Sequence, residues 1–395
     1  MKILRYRMKS NSILIYLIFL GLSCSAQTID DLSFGTDTTF DIMTWNIQWF
    51  PKNGQTTINL CAQIIESLDV DLIAIQEVND ISAFEQMIDG LNSYEGYLES
   101  IWFAGLAYVY KPDVIQINDL YEIYTTSPYW GPFPRSPMVI DFDFMNERII
   151  VINNHFKCCG DGILDSTDQD DEERRREYAN YLLKSYVDDN FPDENVIILG
   201  DLNDELSDES ENNVFQLTLD DSENYLFADY EIAIGDNSEW SYPTWPSHLD
   251  HILITNELFD EFEDESSTIQ TLKIEDYLQG GWQEYDENIS DHRPVAMRLL
   301  INPGLSISDV TSTVAHFYNY PNPFKTETTF SFKTAIGDQE LKIYNLLGQL
   351  VYSKKIPNGE SSVIWNAERI PHGIYIAKLL LDNNDIHTLK IMIRN

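Results

Sequence analysis

The sequence predicts an α/β protein, a four-layer α/β sandwich of two packed β-sheets flanked by helices, followed by a small β-sandwich of immunoglobulin-like type. Three observations predict it. Apolar strand-like runs alternate with helical repeats as far as residue 301. A seam rich in Pro, Gly, Ser and Thr follows, and beyond it the chain changes to short alternating strands punctuated by turn residues.

The N-terminus carries Lys2, Arg5, Arg7 and Lys9, then the apolar run Ile13 to Leu22, then Cys24-Ser25-Ala26 before Gln27. This is the layout of a cleaved signal peptide over residues 1–26. The run is too short to span a bilayer comfortably, and a lipid anchor at Cys24 is the alternative. No other apolar stretch is long enough to cross a membrane, so no stable integral membrane association is expected.

From Thr39 to Trp49 the chain reads as a buried strand, followed by a helical repeat through Ile58, Cys61, Ile65 and Leu68 and a second strand at Asp71 to Gln76. Further strands are expected at Gly105 to Tyr110, Arg148 to Asn153, Val196 to Leu199, Leu249 to Thr255 and Pro294 to Ile301. Glu172 to Asp189 reads as a charged amphipathic helix with Tyr178, Leu182, Leu183 and Tyr186 on its inner side. These segments make up a domain over residues 38–302, and 303–315 read as a linker. In residues 316–395 strands are expected at Thr328 to Phe332, Leu341 to Asn345, Gln349 to Lys354, Ile374 to Leu380 and Thr388 to Arg394. Gly348, Pro357-Asn358-Gly359 and Pro371-His372-Gly373 turn the chain between them.

With 43% hydrophobic and 12% aromatic residues over 395 positions, the chain can fill a large core. Its net charge of -40 is uneven: residues 27–315 hold 12 basic against 58 acidic residues, whereas 316–395 are nearly balanced. Such a field repels polyanions and excludes tight, sequence-independent nucleic-acid binding, but divalent cations can still bridge carboxylates to phosphates during turnover. The acidic runs at 168–173, 204–211 and 260–265 lack the glycine-containing spacing of calcium loops and read as solvated surface. Removing the signal leaves Cys61, Cys158 and Cys159, an odd number that is no disulfide framework. Cys61 shares an apolar helical face and is a core thiol. Cys158 and Cys159 are open to a strained vicinal disulfide or to two reduced thiols, and zinc is disfavoured because no second ligand pair accompanies them.

Six segments end strands with residues suited to phosphate or metal chemistry: Trp45-Asn46, Gln76-Glu77, Asn153-Asn154-His155, Gly200-Asp201-Leu202-Asn203, Asp250 within Ser247-His248-Leu249-Asp250-His251, and Ser290-Asp291-His292-Arg293-Pro294. Singly, each is an ordinary turn former; six in one chain are not. Phosphoester hydrolysis needs a cation to neutralise phosphate charge, a group to position or deprotonate water, and donors for the transition state. Glu77, Asn46 and Asp291 offer the hard oxygens that Mg²⁺ or Mn²⁺ prefers, with Ca²⁺ a further possibility. Asp201 can orient or deprotonate water and Asn203 can donate to a phosphate oxygen. His292 and His155 can act as protonated donors or as an acid for the leaving oxygen. Asp250 is placed to hold His292 in one tautomer. No carboxylate partner for His155 is identifiable, and His248 and His251 read as loop and sheet residues rather than ligands.

At these residues the chain resembles the endonuclease/exonuclease/phosphatase superfamily, the fold of pancreatic deoxyribonuclease, neutral sphingomyelinases and inositol polyphosphate 5-phosphatases. The resemblance covers roughly residues 38–302, with WN, QE, NxH, GDLN, LDHIL and SDHRPV in the family order. It implies that Glu77 is the principal metal ligand, Asp201 the water-activating carboxylate, Asn203 and Asn46 phosphate or metal-shell contacts, and Asp250 with His292 a charge pair. Asp291 is implied as a further metal-side carboxylate and Arg135 as the arginine that reaches a substrate phosphate. His155 stands where abasic-site endonucleases have Asn, which disfavours that branch. Residues 316–395 resemble the type A sorting domain of the type IX secretion system of Bacteroidetes, through Tyr320-Pro321-Asn322-Pro323-Phe324, the run Leu341 to Gln349, Gly373-Ile374-Tyr375 and the closing strand. The expected partners are therefore the type IX secretion machinery and a phosphoester substrate, DNA or RNA, met outside the cell or at its surface. The expected activity is that of an extracellular metal-dependent endonuclease. The rival is a phosphodiesterase or phosphatase acting on lipid headgroups or small phosphate esters, and a non-catalytic adhesin is the reading from another class. Glu77 to Gly105 is short and shows no hydrophobic docking hairpin, which favours a soluble substrate.

Overall fold

The computed structural model describes residues 27–98, 104–301, 318–322, 324–332, 339–345, 348–357, 359–380 and 386–394. The expected signal peptide (1–26) and linker (303–315) lie outside them. The chain divides into two compact units, residues 1–303 and 304–395.

In the first unit the period-2 and period-3.6 patterns become β1 (Phe40–Phe50), α1 (Gln55–Leu68), β2 (Leu72–Val78), α2 (Ile81–Asp89), β3 (Glu95–Tyr97), β4 (Gly105–Tyr110), β5 (Gln116–Glu122), β6 (Met138–Phe144), β7 (Glu147–His155), α3 (Glu172–Asn190), β8 (Asn195–Asp201), β9 (Tyr225–Phe227), β10 (Asp250–Thr255), β11 (Thr268–Thr271), α4 (Gly281–Asn288) and β12 (Val295–Leu299). The strands form two six-stranded sheets, ordered β11-β12-β1-β2-β4-β3 and β5-β6-β7-β8-β10-β9. Because successive side chains point to opposite faces, each strand splits its apolar residues between two cores. Ile42, Leu72, Ile140, Val151, Ile197, Ile252 and Met297 pack between the sheets. Met43, Trp45, Ile73 and Ile75 face α1 through Ile58, Cys61 and Ile65. On the far side Ile150, Ile152, Val196 and Ile198 face α3 through Ala179, Leu182, Leu183 and Val187. This is the expected four-layer sandwich.

One expectation needs correction. Tyr178 is not on the inner side of α3: it is exposed and stacks on Tyr181, with ring centroids 6.0 Å apart, because the buried face runs instead through Glu173, Arg176, Ala179, Asn180 and Leu183. Gln76 and Asn153, in the same strand-end segments as Glu77 and His155, play a structural part. They are buried between the sheets, where Gln76 Nε2 donates to Asn153 Oδ1 at 2.7 Å and Asn153 Nδ2 donates to the carbonyls of Ile75 and Ala107 at 3.0 and 3.1 Å. Tyr108 adds a second tie, its hydroxyl donating to Met138 O at 2.8 Å and accepting from Asn153 N–H at 2.9 Å. These polar bridges satisfy each other where the apolar core ends, so burying them carries no unpaired group.

In the second unit β13 (Tyr318–Tyr320), β14 (Glu327–Ser331) and β17 (Ser362–Asn366) form one sheet, and β15 (Gln339–Asn345), β16 (Leu350–Ile356), β18 (Gly373–Leu380) and β19 (Ile386–Ile393) the other. Phe324, Phe330, Leu341, Ile343, Trp365 and Ala377 fill the core, as in a small β-sandwich.

Candidate active site

Strand register brings the chemistry-bearing residues together. β1 and β2 run parallel with Asn46 paired to Gln76, so Asn46 and Glu77 leave the same sheet end. β7 and β8 run parallel with His155 opposite Asp201, and β8 pairs antiparallel with β10 so that Asp201 faces Asp250. The β7–β8 approach is close enough that a Cβ on Gly200, at φ 144°, would lie 2.0 Å from Asn154 O, which only glycine avoids.

Asp201 is the hub. Its Oδ2 accepts from Asn46 Nδ2 at 2.9 Å, bridging the two sheets, and lies 3.4 Å from His155 Nε2 and 3.9 Å from His292 Nε2. Its Oδ1 accepts from Asn203 N–H at 3.2 Å. His292 Nδ1 donates to Asp250 Oδ2 at 2.7 Å, the expected pairing. Glu77 accepts from Asn46 Nδ2 at 3.2 Å and from Trp49 N–H at 2.9 Å, and Asp291 accepts from Gln48 Nε2 at 2.7 Å. Glu77, His155, Asp201, Asp291 and His292 border one open cleft of about 600 Å³, whose walls also hold Asn203, Tyr242 and Trp245, while Asn46 and Asp250 stand behind them. Among the described residues, five of the ten non-glycine residues with positive φ (Gln48, Trp49, Glu77, Cys159 and Asn203) lie on this cleft, so backbone strain is concentrated where side chains must be aimed.

Burial and neighbouring charge set the protonation states. Burial alone would depress the His292 imidazolium, but Asp250, Asp201 and Asp291 override it and raise its pKa to about 10. Burial raises the Asp201 carboxyl, with Asp250 and Glu77 adding to the rise and His292 opposing it. The expectation that His155 is a protonated donor is corrected. Burial, with the positive charges of Arg135 and His292, pushes it well below 6.5 despite carboxylates at 3.4 and 3.9 Å, so its imidazole is neutral. Those carboxylates, Asp201 and Glu77, are the neighbours that sequence did not identify; Nδ1 of His155 is buried without a partner among the described residues. Arg135 is half-buried and bears on the site through that charge, but it is not among the residues lining the cleft.

Sequence reasoning missed a layer of support. Ser290 Oγ donates to Asn46 O at 2.6 Å and accepts from His292 N–H at 3.0 Å. Tyr285, fully buried, donates its hydroxyl to His292 O at 2.7 Å and accepts from Trp45 Nε1 at 3.0 Å. These bonds hold the His292 turn against β1. The Trp in Trp45-Asn46 and the Ser before Asp291 were the available signals. His248 and His251 are buried on Asp229: His251 Nδ1 lies 2.6 Å and His248 Nε2 3.1 Å from Asp229 Oδ2. His251 Nε2 donates to Asp204 O at 2.9 Å and His248 Nδ1 accepts from Ser241 N–H at 3.2 Å. Although the spacing of these three residues would suit a metal, every ring nitrogen already has a protein partner. Burial opposes ionisation of Asp229, yet His251 and His248 hold its carboxyl well below the usual range. His251 is itself raised, chiefly by Asp229 against the effect of burial.

Two family models match the chain. Residues 43–292 match the endonuclease/exonuclease/phosphatase family and residues 319–394 match a secretion system C-terminal sorting domain. The sorting domain marks the protein for type IX export to the cell surface or the extracellular space, and no helix among the described residues is long and apolar enough to cross a membrane. No curated protein matches the chain in sequence. Among solved structures, TDP2 of D. rerio complexed with a single-strand DNA product is 14% identical, with a TM-score of 0.50 over 67% of this chain and 99% of that one. The human Nocturnin catalytic domain with bound sulfate is 14% identical (TM-score 0.47; 66% and 94% covered). An endonuclease/exonuclease/phosphatase from Bacteroides vulgatus is 15% identical (TM-score 0.47; 66% and 98% covered). Identities this low speak to the fold alone. The family-model match over 43–292, carried on that sandwich and on the cluster around Asp201, makes this chain a member of the endonuclease/exonuclease/phosphatase family of phosphoester hydrolases.

Proposed function

We propose that the protein is a divalent-metal-dependent phosphodiesterase that cleaves nucleic acid outside the cell, taking it as single strands. The observation that carries the reading is the position of Asp201 Oδ2, ringed by Asn46, His155 and His292 while Asp250 holds the far side of His292. Glu77, with Asn46 Oδ1 and Asp291, would hold the metal. The donors are hard oxygens, and Glu77 accepts hydrogen bonds from neutral groups, Asn46 Nδ2 and Trp49 N–H, which leaves its charge uncompensated and fits a divalent cation. When bound, such an ion neutralises charge on the phosphate.

The chain's own groups do the rest. Asp201 orients the attacking water and takes its proton, a task helped by the upward push that burial gives its carboxyl. His292, as the imidazolium, donates Nε2–H to the phosphoryl group while Asp250 fixes its tautomer. Neutral His155 offers a hydrogen bond rather than a proton. Asn203, on the cleft wall, donates to a phosphate oxygen, while Arg135 acts through its charge.

For the substrate, Trp49, Tyr242 and Trp245 flank the cleft, with Trp49 and Trp245 45% and 78% exposed. Aromatic faces stack on unpaired bases at about 1–3 kcal/mol each. The acidic surroundings, Glu173, Asp204, Glu205 and Asp208, disfavour a rigid duplex with its dense phosphates. A lipid-headgroup phosphodiester is the second reading, favoured by Trp245 standing out from the Tyr242–Ser247 turn.

The test is hydrolysis of bis(p-nitrophenyl) phosphate, single-stranded DNA and RNA, duplex DNA and sphingomyelin vesicles, with Mg²⁺ or Mn²⁺ and after EDTA. Metal-dependent turnover is expected, faster on single strands than on duplex. Trp245→Ala should raise KM for strands roughly 5- to 150-fold, the range of one stacked base, and leave the small diester unaffected. Inertness toward every diester would end the phosphodiesterase reading; turnover of vesicles but not strands would hand the substrate to the lipid reading.

A further inference from the structure

The turn that follows β7 carries two adjacent thiols to the rim of the cleft. Cys158 and Cys159 are exposed and unbonded, with sulfurs 2.9 Å apart. A disulfide needs about 2.05 Å, so less than one ångström of closure separates them from a bond.

Their placement is built from beneath. Arg176, buried on α3, donates Nη1 to Lys157 O at 2.8 Å and to Cys159 O at 2.7 Å, and its Nε to Asp204 Oδ2 at 2.7 Å. Glu173 lies 3.3 Å from the same guanidinium and accepts from Gly162 N–H at 2.7 Å. Its carboxylate fills the space where a side chain on Gly160 would begin, 2.1 Å from an ideal Cβ. Cys159 is held in the left-handed region at φ 72°. An otherwise exposed loop is thus clamped at both carbonyls that bracket the cysteine pair. No competing partner is near: among the described residues the remaining cysteine, Cys61, is fully buried in the α1 core.

We propose that Cys158 and Cys159 are a modification site, closing to a vicinal disulfide once the protein meets the oxidising conditions outside the cell. Lys157 Nζ lies 3.9 Å from Cys158 Sγ, which puts an ammonium beside the sulfur that attacks first. The Cys158 thiolate attacks a disulfide donor, a small-molecule disulfide or an oxidised dithiol protein, forming a mixed disulfide and releasing one donor thiol. Cys159 loses its proton and attacks Cys158 Sγ, expelling the second donor sulfur as a thiol. Two protons and two electrons pass from the cysteine pair to the donor.

The product is reversible by construction. Neighbouring Cα atoms are about 3.8 Å apart across a trans peptide, below the roughly 4.4 Å at which disulfides ordinarily begin. A strained and exposed disulfide is the readily reduced kind. The cleft wall beside Asp201 and Asn203 therefore carries a redox-sensitive element.

The test uses the mature full chain recovered from the medium or cell surface. It is alkylated with iodoacetamide before and after mild dithiothreitol, and the peptide containing both cysteines is weighed. The expected native peptide is unlabelled and about 2 Da lighter than its dithiol form. Mild reduction adds two labels without unfolding, and Cys61 labels after denaturation. In Cys158→Ser the mass deficit disappears. Two labels on the native, unreduced protein, or a disulfide-linked dimer through either residue, would overturn the proposal. The wild-type label count decides the matter even if the variant fails to reach the medium.

Discussion

Asp250→Asn is the most informative perturbation of the site. His292 is raised from 6.5 to about 10 by Asp250, Asp201 and Asp291 against burial, a preference for the imidazolium of roughly 5 kcal/mol at 1.36 kcal/mol per pKa unit. Asp250 makes the 2.7 Å contact and is the largest of the raising influences. Removing its charge leaves desolvation opposed only by Asp201 and Asp291, so the imidazolium is less favoured and the ring is no longer held in one tautomer. The expected cost is two to four orders of magnitude in kcat with a smaller change in KM, because the lost interaction belongs to the transition state. The alkaline limb of the rate profile, near pH 10 in the wild type, should move to lower pH. His292→Ala should cost a similar factor, and the double variant little more than His292→Ala alone, since a misaligned ring is nearly as ineffective as none. The assay is kcat on bis(p-nitrophenyl) phosphate from pH 6 to 10 for both singles and the double, after circular dichroism establishes folding. Losses that multiply, or an alkaline limb that does not move in Asp250→Asn, would refute the coupling.

Three further outcomes are expected. Exhaustive EDTA dialysis should abolish turnover and Mg²⁺ or Mn²⁺ restore it, and Glu77→Gln should raise the metal concentration needed; undiminished activity in EDTA contradicts the metal assignment. Asp229→Ala strands a buried His251 imidazolium and should lower stability by roughly 3–5 kcal/mol in urea titrations. The wild-type pair has a defined pH window. The depressed Asp229 contributes fully above its unfolded pKa of about 3.9 and fades as pH falls, whereas the raised His251 contributes fully below about 6.5 and fades as pH rises through its folded value. The Asp229 variant's deficit should therefore be greatest between about pH 4 and 6.5, and a deficit independent of pH would count against an ion pair. Deleting residues 316–395 should leave kcat intact and block export; a folded but inactive truncation would show that the units are not independent.

Much of the site was legible because its residues sit at strand ends, where an apolar run stops and a carboxylate or amide begins: Asn46, Glu77, His155 and Asp201 were found this way. Two strands of the second sheet were not. β5, an exposed edge of sequence QINDLYE, has too little apolar contrast to register, and β6, reading MVIDFDF, ends in no chemical residue. The face of α3 was misjudged at Tyr178 because its buried side includes Glu173, Arg176 and Asn180, which sequence assigns to solvent. Their burial makes sense only with Asp204 and the Lys157–Cys159 carbonyls in place, contacts that are distant along the chain. Gln48, Tyr285 and Asp229 were invisible for the same reason: each matters through a partner that the fold, and not the local sequence, supplies.

The strand ladders also determine where this protein can change. Asp201 meets His155 on one rung and Asp250 on the next strand's matching rung. A single residue gained or lost within β8 would turn every side chain after it to the opposite face, sending Asp201 away from the cleft and Gly200's successor into Asn154. The strand interiors thus behave as a combination lock with one setting, intolerant of any change in length. The segments after the last rungs, at Cys158–Gly162, Asp204–Asp208 and Tyr242–Ser247, carry no such count. Length variation has room to act there, and those stretches line the cleft.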